Sequence, residues 1–333
     1  EMWTGVRPLR YRGDVFTVLN AIHDSGKLDI DAIRVKLIEE RAKREEKRLK
    51  VLRVSHPIED RRRKRDEFLT KAEQVMRVFQ RAGLVRKDGE VTVLTKKGFK
   101  IVELGRKGDR RADALFIESL LNSPYPTYWL FLKNLRNHSI SIPRALWKRN
   151  RKLRPFIRNQ GFPLDVWSFF ILRDLYYEFG LLNYVADGNQ EKTFPLFVLG
   201  SWNAKMRGYK LNACTPEGRI HYWPSITSRR FLRLLADTYL SITEGRWNRV
   251  LDLVELRERF SLRHLVPETE FNELFEAALN KPSAIRVVPS VGYINLGARR
   301  GYLTKVVNLP TGIDGLPLTH VRIEQRNENV RLE

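Results

Sequence analysis

Of the 333 residues, 61 are Lys or Arg and 39 are Asp or Glu, a formal charge of +22, and 42% are hydrophobic, with 17 Phe, 11 Tyr and 7 Trp. That aromatic content excludes a disordered basic tail, and at roughly 100–200 residues per domain the length predicts two or three packed cores. No run of about 18 uncharged apolar residues occurs, the first dozen residues lack the order of a secretory signal, and the single cysteine cannot form an internal disulfide, so an intracellular protein, nucleoid-associated in the cytoplasm or nuclear, is expected.

The start at Glu1 rather than Met leaves room for a longer parent chain. Val15, Val18, Leu19 and Ile22 recur at i, i+3, i+4, i+7 and predict an amphipathic helix that stops at Gly26. Asp29 or Asp31 then caps a second helix carrying Ile33, Val35, Leu37 and Ile38. It runs into a stretch, Arg41 to Arg65, with twelve basic residues against four acidic ones. Residues 41–65 read as a long basic helical insertion. Either it is a solvated face with Glu45 and Glu46 paired locally, or it is a surface for a polyanion. Phe68, Ala72, Val75, Met76 and Phe79 mark a third helix ending at Gly83. Residues 84–95 follow as two short apolar strands around Asp88-Gly89, a strong hairpin signal.

Three helices and a hairpin form the winged-helix order. The phrase Phe79-Gln80-Arg81-Ala82-Gly83-Leu84-Val85, then the hairpin, then Leu94-Thr95-Lys96-Lys97-Gly98 resembles the recognition-helix end, wing and T-x-x-G helix start of winged-helix DNA-binding domains. The long charged insertion departs from that family, where a tight turn separates helices two and three, and it leaves open which helix enters a groove.

The pattern recurs. Residues 113–136 read as helix interrupted at Ser123-Pro124-Tyr125-Pro126, and Ser141-Ile142-Pro143 reads as a helix start with Pro in the first turn. An apolar helix from Asp165 carries Trp167, Phe170, Leu172, Leu175 and Phe179 to Gly180. Leu181 to Gly188 and Thr193 to Leu199 follow as strands, so an aromatic-x-x-x-Gly-Leu phrase before an Asp-Gly turn occurs twice. Further on, Phe231, Leu234, Leu235, Thr238 and Tyr239 share a helix face, and Leu251 to Phe260 forms another helix. A third, Pro267 to Leu279, is acidic through Glu268, Glu270, Glu273 and Glu276. Ala284 to Val288 and Gly292 to Leu296 are expected to pair around Pro289-Ser290, while the tail from Leu318 has a strand-like opening and no assigned role. The expected architecture is mainly α with small β-hairpins (α+β), in two or three tandem winged-helix units: 1–108, 109–203 and 204–333 with a C-terminal tail.

Little suggests catalysis. Asp165 with Gln190-Glu191-Lys192 superficially matches one nuclease signature, but a helix N-cap accounts for Asp165. The six histidines are scattered, Cys214 has only Lys210 as a nearby base, and no phosphate-binding Gly-rich loop occurs. No catalytic residue, cofactor or metal is expected, and no membrane. Aromatics near cations give two single-strand candidates: Trp147, Phe156 and Phe162 in or beside the block Arg144 to Arg158, and Trp202, Tyr209, Tyr222 and Trp223 around Lys205, Arg207 and Arg219. Core packing is the plainer reading of the first set; the second is the better single-strand candidate and equally an interdomain packing seam.

The resemblance implies double-stranded DNA as the partner, with RNA or single-stranded DNA as alternatives and a protein partner at the third unit. The first unit would use Arg61, Arg62, Arg63, Lys64, Arg65, Lys71 and Gln74 near its third helix, Arg86 and Lys87 in its wing, and Lys96 and Lys97. The second would use the acid-free set Arg144, Lys148, Arg149, Arg151, Lys152, Arg154 and Arg158, and the third Arg299, Arg300 and Lys305. Two other readings stay open. Thr95 to Gly98 with Ser123 to Pro126 weakly resembles the joint between recognition subdomains of type IIS restriction endonucleases, which implies the recognition part of a restriction or defence nuclease whose cutting centre lies elsewhere. The other is a structural subunit of a replication, transcription or CRISPR-like ribonucleoprotein.

Overall fold

A computed structural model describes residues 9–55, 72–137, 139–147, 150–162, 164–187, 189–200, 208–279, 283, 285–292, 305, 308–312 and 316–325. The fold is mixed α+β with small antiparallel sheets, and it divides into two compact units, residues 1–44, 61–182 and 187–223 against residues 45–60, 183–186 and 224–333. No described helix is long and apolar enough to cross a membrane.

The chain opens with α1 (Arg12–Ser25), α2 (Ile30–Ser55), α3 (Ala72–Arg81), β1 (Val85–Asp88) and β2 (Val91–Leu94). Val15, Val18, Leu19 and Ile22 are fully buried, as their spacing predicts. Asp29 caps α2 by accepting from the Ala32 N–H at 2.7 Å. Between α1 and α2, Leu28 exchanges both backbone hydrogen bonds with Thr92, at 3.0 and 2.8 Å. Leu28 is thus a one-residue strand beside β2, giving the lateral order Leu28, β2, β1. Two connecting helices follow, α4 (Lys96–Arg106) and α5 (Arg111–Leu121).

The same order then repeats: α6 (Pro126–Asn137), β3 (Ile140–Pro143), the short α7 (Arg144–Trp147), α8 (Asn150–Asn159), α9 (Val166–Glu178), β4 (Leu182–Asp187) and β5 (Gln190–Pro195). Here the strand between helices is longer than one residue. Ile140 and Ile142 point into the core and the residues pair antiparallel with β5, so Ser141 to Pro143 is sheet and not the helix start expected. The sheet order is β3-β5-β4, matching Leu28, β2, β1. The repeated aromatic-x-x-x-Gly-Leu phrase is a helix stop seen twice. Gly83 and Gly180 both sit at φ 71°. Leu84 N–H reaches Phe79 O at 2.9 Å and Leu181 N–H reaches Tyr176 O at 2.9 Å, the six-to-one bond of a Schellman cap that glycine permits.

A separate sheet follows, β6 (Phe197–Gly200), β7 (Tyr209–Thr215) and β8 (Gly218–Pro224), in the order β6-β8-β7. β7 packs along α5, where Cys214 N–H donates to Glu118 at 2.9 Å. In β8, burial, reinforced by the charge of Arg219, holds the His221 imidazole below its ordinary value of 6.5. The unfolded chain therefore binds that proton more tightly, and stability that is complete above the unfolded value is lost as pH falls toward the depressed folded one. Thermal midpoints taken from about pH 7 down to about pH 5.5 should fall, and His221→Gln should flatten part of the slope. His264, also held down by burial, keeps the rest. Identical slopes for the two proteins would refute this.

In the second unit the order appears a third time: α10 (Ser228–Ile242), β9 (Leu251–Asp252), α11 (Leu253–His264), α12 (Glu268–Leu279), β10 (Ile285–Ser290) and β11 (His320–Gln325). The helix expected from Leu251 starts two residues later, capped by Asp252, which accepts from the Val254 N–H at 2.7 Å. β10 pairs with residues 320–325, so the tail without a role supplies the returning strand of this sheet; residues 293–296, expected to pair here, lie outside the described residues. The sheet again runs β9-β11-β10. Phe231, Leu235, Tyr239, Phe260, Phe271, Phe275, Val321 and Ile323 make its core. At about 1.5–3 kcal/mol for each large apolar side chain removed from water, that core accounts for the unit's cohesion.

Candidate nucleic-acid interface

In the first copy, α3 is two-faced. Val75, Met76, Val78 and Phe79 are buried, while Gln74, Arg77 and Arg81 lie exposed at i, i+3, i+7, one stripe along the helix. None of the three has a hydrogen-bond or ion-pair partner among the described residues. Gln74 stands where the sequence places it. Arg77 and Arg81 are additions, although stepping by the helical period from Gln74 finds them. The Gly83 cap leads straight into β1, where Arg86 and Lys87 are exposed, and α4 begins with Lys96 and Lys97, also exposed. Exposed carboxylates are present too, Glu73 on α3 and Asp88 and Glu90 at the hairpin tip. Residues Arg61 to Arg65 and Lys71 lie outside the described residues.

Two cations of the expected insertion face inward instead. Arg41 clamps the buried Asp14, at 2.7 Å from Nε to Oδ1, and Arg44 pairs with the buried Glu178 at 2.5 Å. Burial raises the Glu178 carboxyl above its ordinary value, against the pull of Arg44. Alongside, Arg10 holds Asp174 at 2.6 Å, Arg12 holds Asp113 at 2.8 Å, and Arg173 bridges Asp174 and Glu191. Part of the positive charge is thus neutralised by buried carboxylates.

That network changes what the second copy can present. From Leu172 onward α9 is buried and carries Arg173, Asp174 and Glu178 of the network, so its length is closed to a groove. The charge of this copy sits on α8, where Leu153 and Ile157 are buried and Arg151, Lys152, Arg154 and Arg158 are exposed. Arg144, half-buried, anchors α7 through its N–H to Asn189 O at 2.9 Å. None of these five side chains has a partner among the described residues. Lys148 and Arg149 lie outside them.

The third copy corrects one expectation. Lys305 is 1% exposed and its ammonium sits 2.6 Å from Glu268 and 3.0 Å from Glu258, with Asn183 Oδ1 at 3.1 Å. A lysine so enclosed cannot reach a phosphate. Glu268 also takes Arg257 at 2.9 Å, so of the four carboxylates expected to make α12 acidic, Glu268 and Glu270 are buried and Glu273 and Glu276 face solvent. Arg299 and Arg300 lie outside the described residues.

Three of the seven aromatic candidates, Phe162, Tyr222 and Trp223, belong to the core, while Phe156 and Tyr209 are half-buried. Tyr222 and Trp223 are buried, Trp223 donating from Nε1 to Phe179 O at 3.3 Å, and Arg219 is engaged by Asn212 and by Cys214 Sγ. That removes this pair from the single-strand candidate; Trp202, Lys205 and Arg207 lie outside the described residues. Phe162 stacks edge-on against Phe131 and Phe169 inside the first unit. Asp165 caps α9, accepting from Ser168 N–H at 3.0 Å, and Glu191 belongs to Arg173. Among the described residues no group of three or more His, Cys, Asp or Glu is placed to hold a metal ion. Burial and Glu118 push the Cys214 thiol up, away from a nucleophilic thiolate. Compared with known proteins, the chain matches no family model, no curated protein and no solved structure.

Proposed function

We propose that the chain binds double-stranded DNA, with sequence preference, through a winged-helix unit in its first copy of the repeated order. In this reading α3 enters the major groove and the β1–β2 hairpin is the wing. The observation that carries it is the exposed stripe Gln74, Arg77 and Arg81 on a helix whose other face is core, followed by cations on the hairpin and at the start of α4. Gln pairs with adenine edges and Arg with guanine edges, whereas Lys and Arg on a wing neutralise phosphates. The topology supports the reading: helix, strand, two helices and hairpin, with the first strand beside the last, follows the winged-helix order in the first and third copies, and in the second with the short α7 added. The third copy is read as a protein-contacting unit, because Glu273 and Glu276 on α12 repel phosphates.

The test is binding of the full chain to labelled duplexes over a salt series, with selection from a random duplex pool. The logarithm of affinity should fall linearly with log salt, and Arg86→Ala with Lys87→Ala should lower the slope by about 0.9 for each phosphate left without its cation. Arg77→Ala should instead relax the selected sequence at one position and weaken the selected site by about 1–3 kcal/mol. A salt-insensitive complex, or no enriched motif together with no effect of Arg77→Ala, would defeat the reading.

A further inference from the structure

We propose that α8 and the start of α9 form a second nucleic-acid site, one that takes a single strand: a base stacks on the Trp167 indole while the phosphates of that strand lie along the cations of α8. This goes beyond duplex binding by the first copy and stands independently of it. Trp167 is 66% exposed, the most exposed of the large hydrophobic side chains among the described residues. Its neighbours Ser168 and Phe169 are fully buried, so the core is complete without the indole. The backbone beneath it is held, since Asp165 accepts from the Ser168 N–H at 3.0 Å and its hydroxyl at 2.7 Å. A solvent-facing ring on a capped helix start is a stacking platform open to a base.

The surroundings select a polyanion. α8 packs on α9, and residues 160–165 join the end of α8 to the start of α9, which puts Arg158 and Trp167 at the two ends of one short connection. Arg151, Lys152, Arg154 and Arg158 are exposed without partners among the described residues, and no Asp or Glu occurs anywhere from residue 119 to residue 164. An apolar protein partner would gain nothing from those cations. The two copies also differ at the equivalent helix. Where α3 offers Gln74 and Arg77, groups that read base edges, the positions equally far from the glycine stop of α9 carry the half-buried Ile171, which has no donor or acceptor, and the buried Asp174, which is held by Arg10 and Arg173. Every base has a π-face, so such a site binds unpaired strands without regard to sequence.

The experiment is fluorescence anisotropy of the full chain with a labelled oligothymidylate and, in parallel, a labelled duplex. The wild type should bind both. Trp167→Ala should weaken the oligothymidylate complex by about 5- to 150-fold, and Trp167→Phe by less, since a ring remains. Duplex affinity should change by less than about twofold, as for a surface substitution outside that site. Arg154→Ala with Arg158→Ala should lower the single-strand salt slope by about 0.7 for each phosphate those cations neutralise. The proposal is overturned if the wild type ignores oligothymidylate or if Trp167→Ala binds it as tightly as the wild type. It is also overturned if that variant only shifts sedimentation from dimer to monomer, which would make the indole a contact between copies of this chain. Loss of duplex binding alone would count against the first-copy reading and leave this one standing.

Discussion

Lys305→Met should destabilise the second unit by about 3–5 kcal/mol in chemical denaturation, the usual cost of removing one partner from a buried ion pair. The ammonium is enclosed by Glu258, Glu268 and Asn183, and Asn183 in turn donates to Ser261 at 2.7 Å and Glu268 at 2.9 Å. Arg257, fully buried, is the other cation, bonded to Glu268 and to the carbonyl of Lys305 itself at 2.8 Å. Methionine fills most of the volume but leaves the carboxylates of Glu258 and Glu268 short of one positive charge. A carboxyl in that state has its folded pKa raised, so the variant regains stability as pH falls and loses it as pH rises through the raised value. A packing defect would show no such dependence, which makes the pH profile the discriminating measurement. A loss below about 1 kcal/mol, or one flat with pH, would mean that the network is weaker than its burial implies. The same variant should leave the salt slope of DNA binding unchanged, because this lysine faces no solvent.

What the sequence shows of such residues depends on how far away their partners lie. The helices of the first copy and the β1–β2 hairpin are legible because their causes are local: the spacing from Val15 to Ile22, Asp29 as a cap, Gly83 as a stop, Asp88-Gly89 as a turn. β3 is not, since an alternation of Ile140 and Ile142 over four residues is too short to outweigh a Pro that also fits the first turn of a helix. β11 is hidden because its partner β10 lies thirty-odd residues back, beyond any local turn signal. Charge is misread for the same reason. Arg41 and Arg44 sit in a run that looks solvated or polyanion-binding, yet their carboxylates, Asp14 and Glu178, are 27 and 134 residues away. Lys305 meets Glu268 across 37 residues. Net charge in a window is a surface property only where the fold leaves it on the surface, as at Arg77, Arg81 and α8. Trp167 is visible as an apolar helix residue, but that its position falls outside the Phe169, Leu172, Tyr176 stripe becomes plain only once that stripe is known to be buried.

Gly98→Ala should be the most damaging small substitution in the first copy, by about 3 kcal/mol or more, and its cause explains why the T-x-x-G phrase ends in glycine. A Cβ on Gly98 would lie 2.1 Å from the carbonyl oxygen of Leu84 and 3.2 Å from Leu94 Cδ2. The first obstacle is backbone, and it cannot swing aside, because Leu84 O already accepts the Thr95 N–H at 3.0 Å and the Thr95 hydroxyl at 3.1 Å. Thr95 in turn caps α4, accepting from the Gly98 N–H at 3.2 Å. Relief therefore requires α4 to lift off the hairpin, adding a broken cap of about 0.5–2 kcal/mol to an overpacking strain of about 1–3 kcal/mol. Lys96 and Lys97 would move with it, so the variant should also lose duplex affinity at temperatures where it remains folded. Gly83→Ala is the control. Nothing lies within 4 Å of its added Cβ, and its cost is only that of a left-handed residue at φ 71°, about 1–2 kcal/mol. Urea midpoints should rank wild type above Gly83→Ala above Gly98→Ala. The reverse order would show that the close approach of α4 to Leu84 is not what binds this helix to the β1–β2 hairpin.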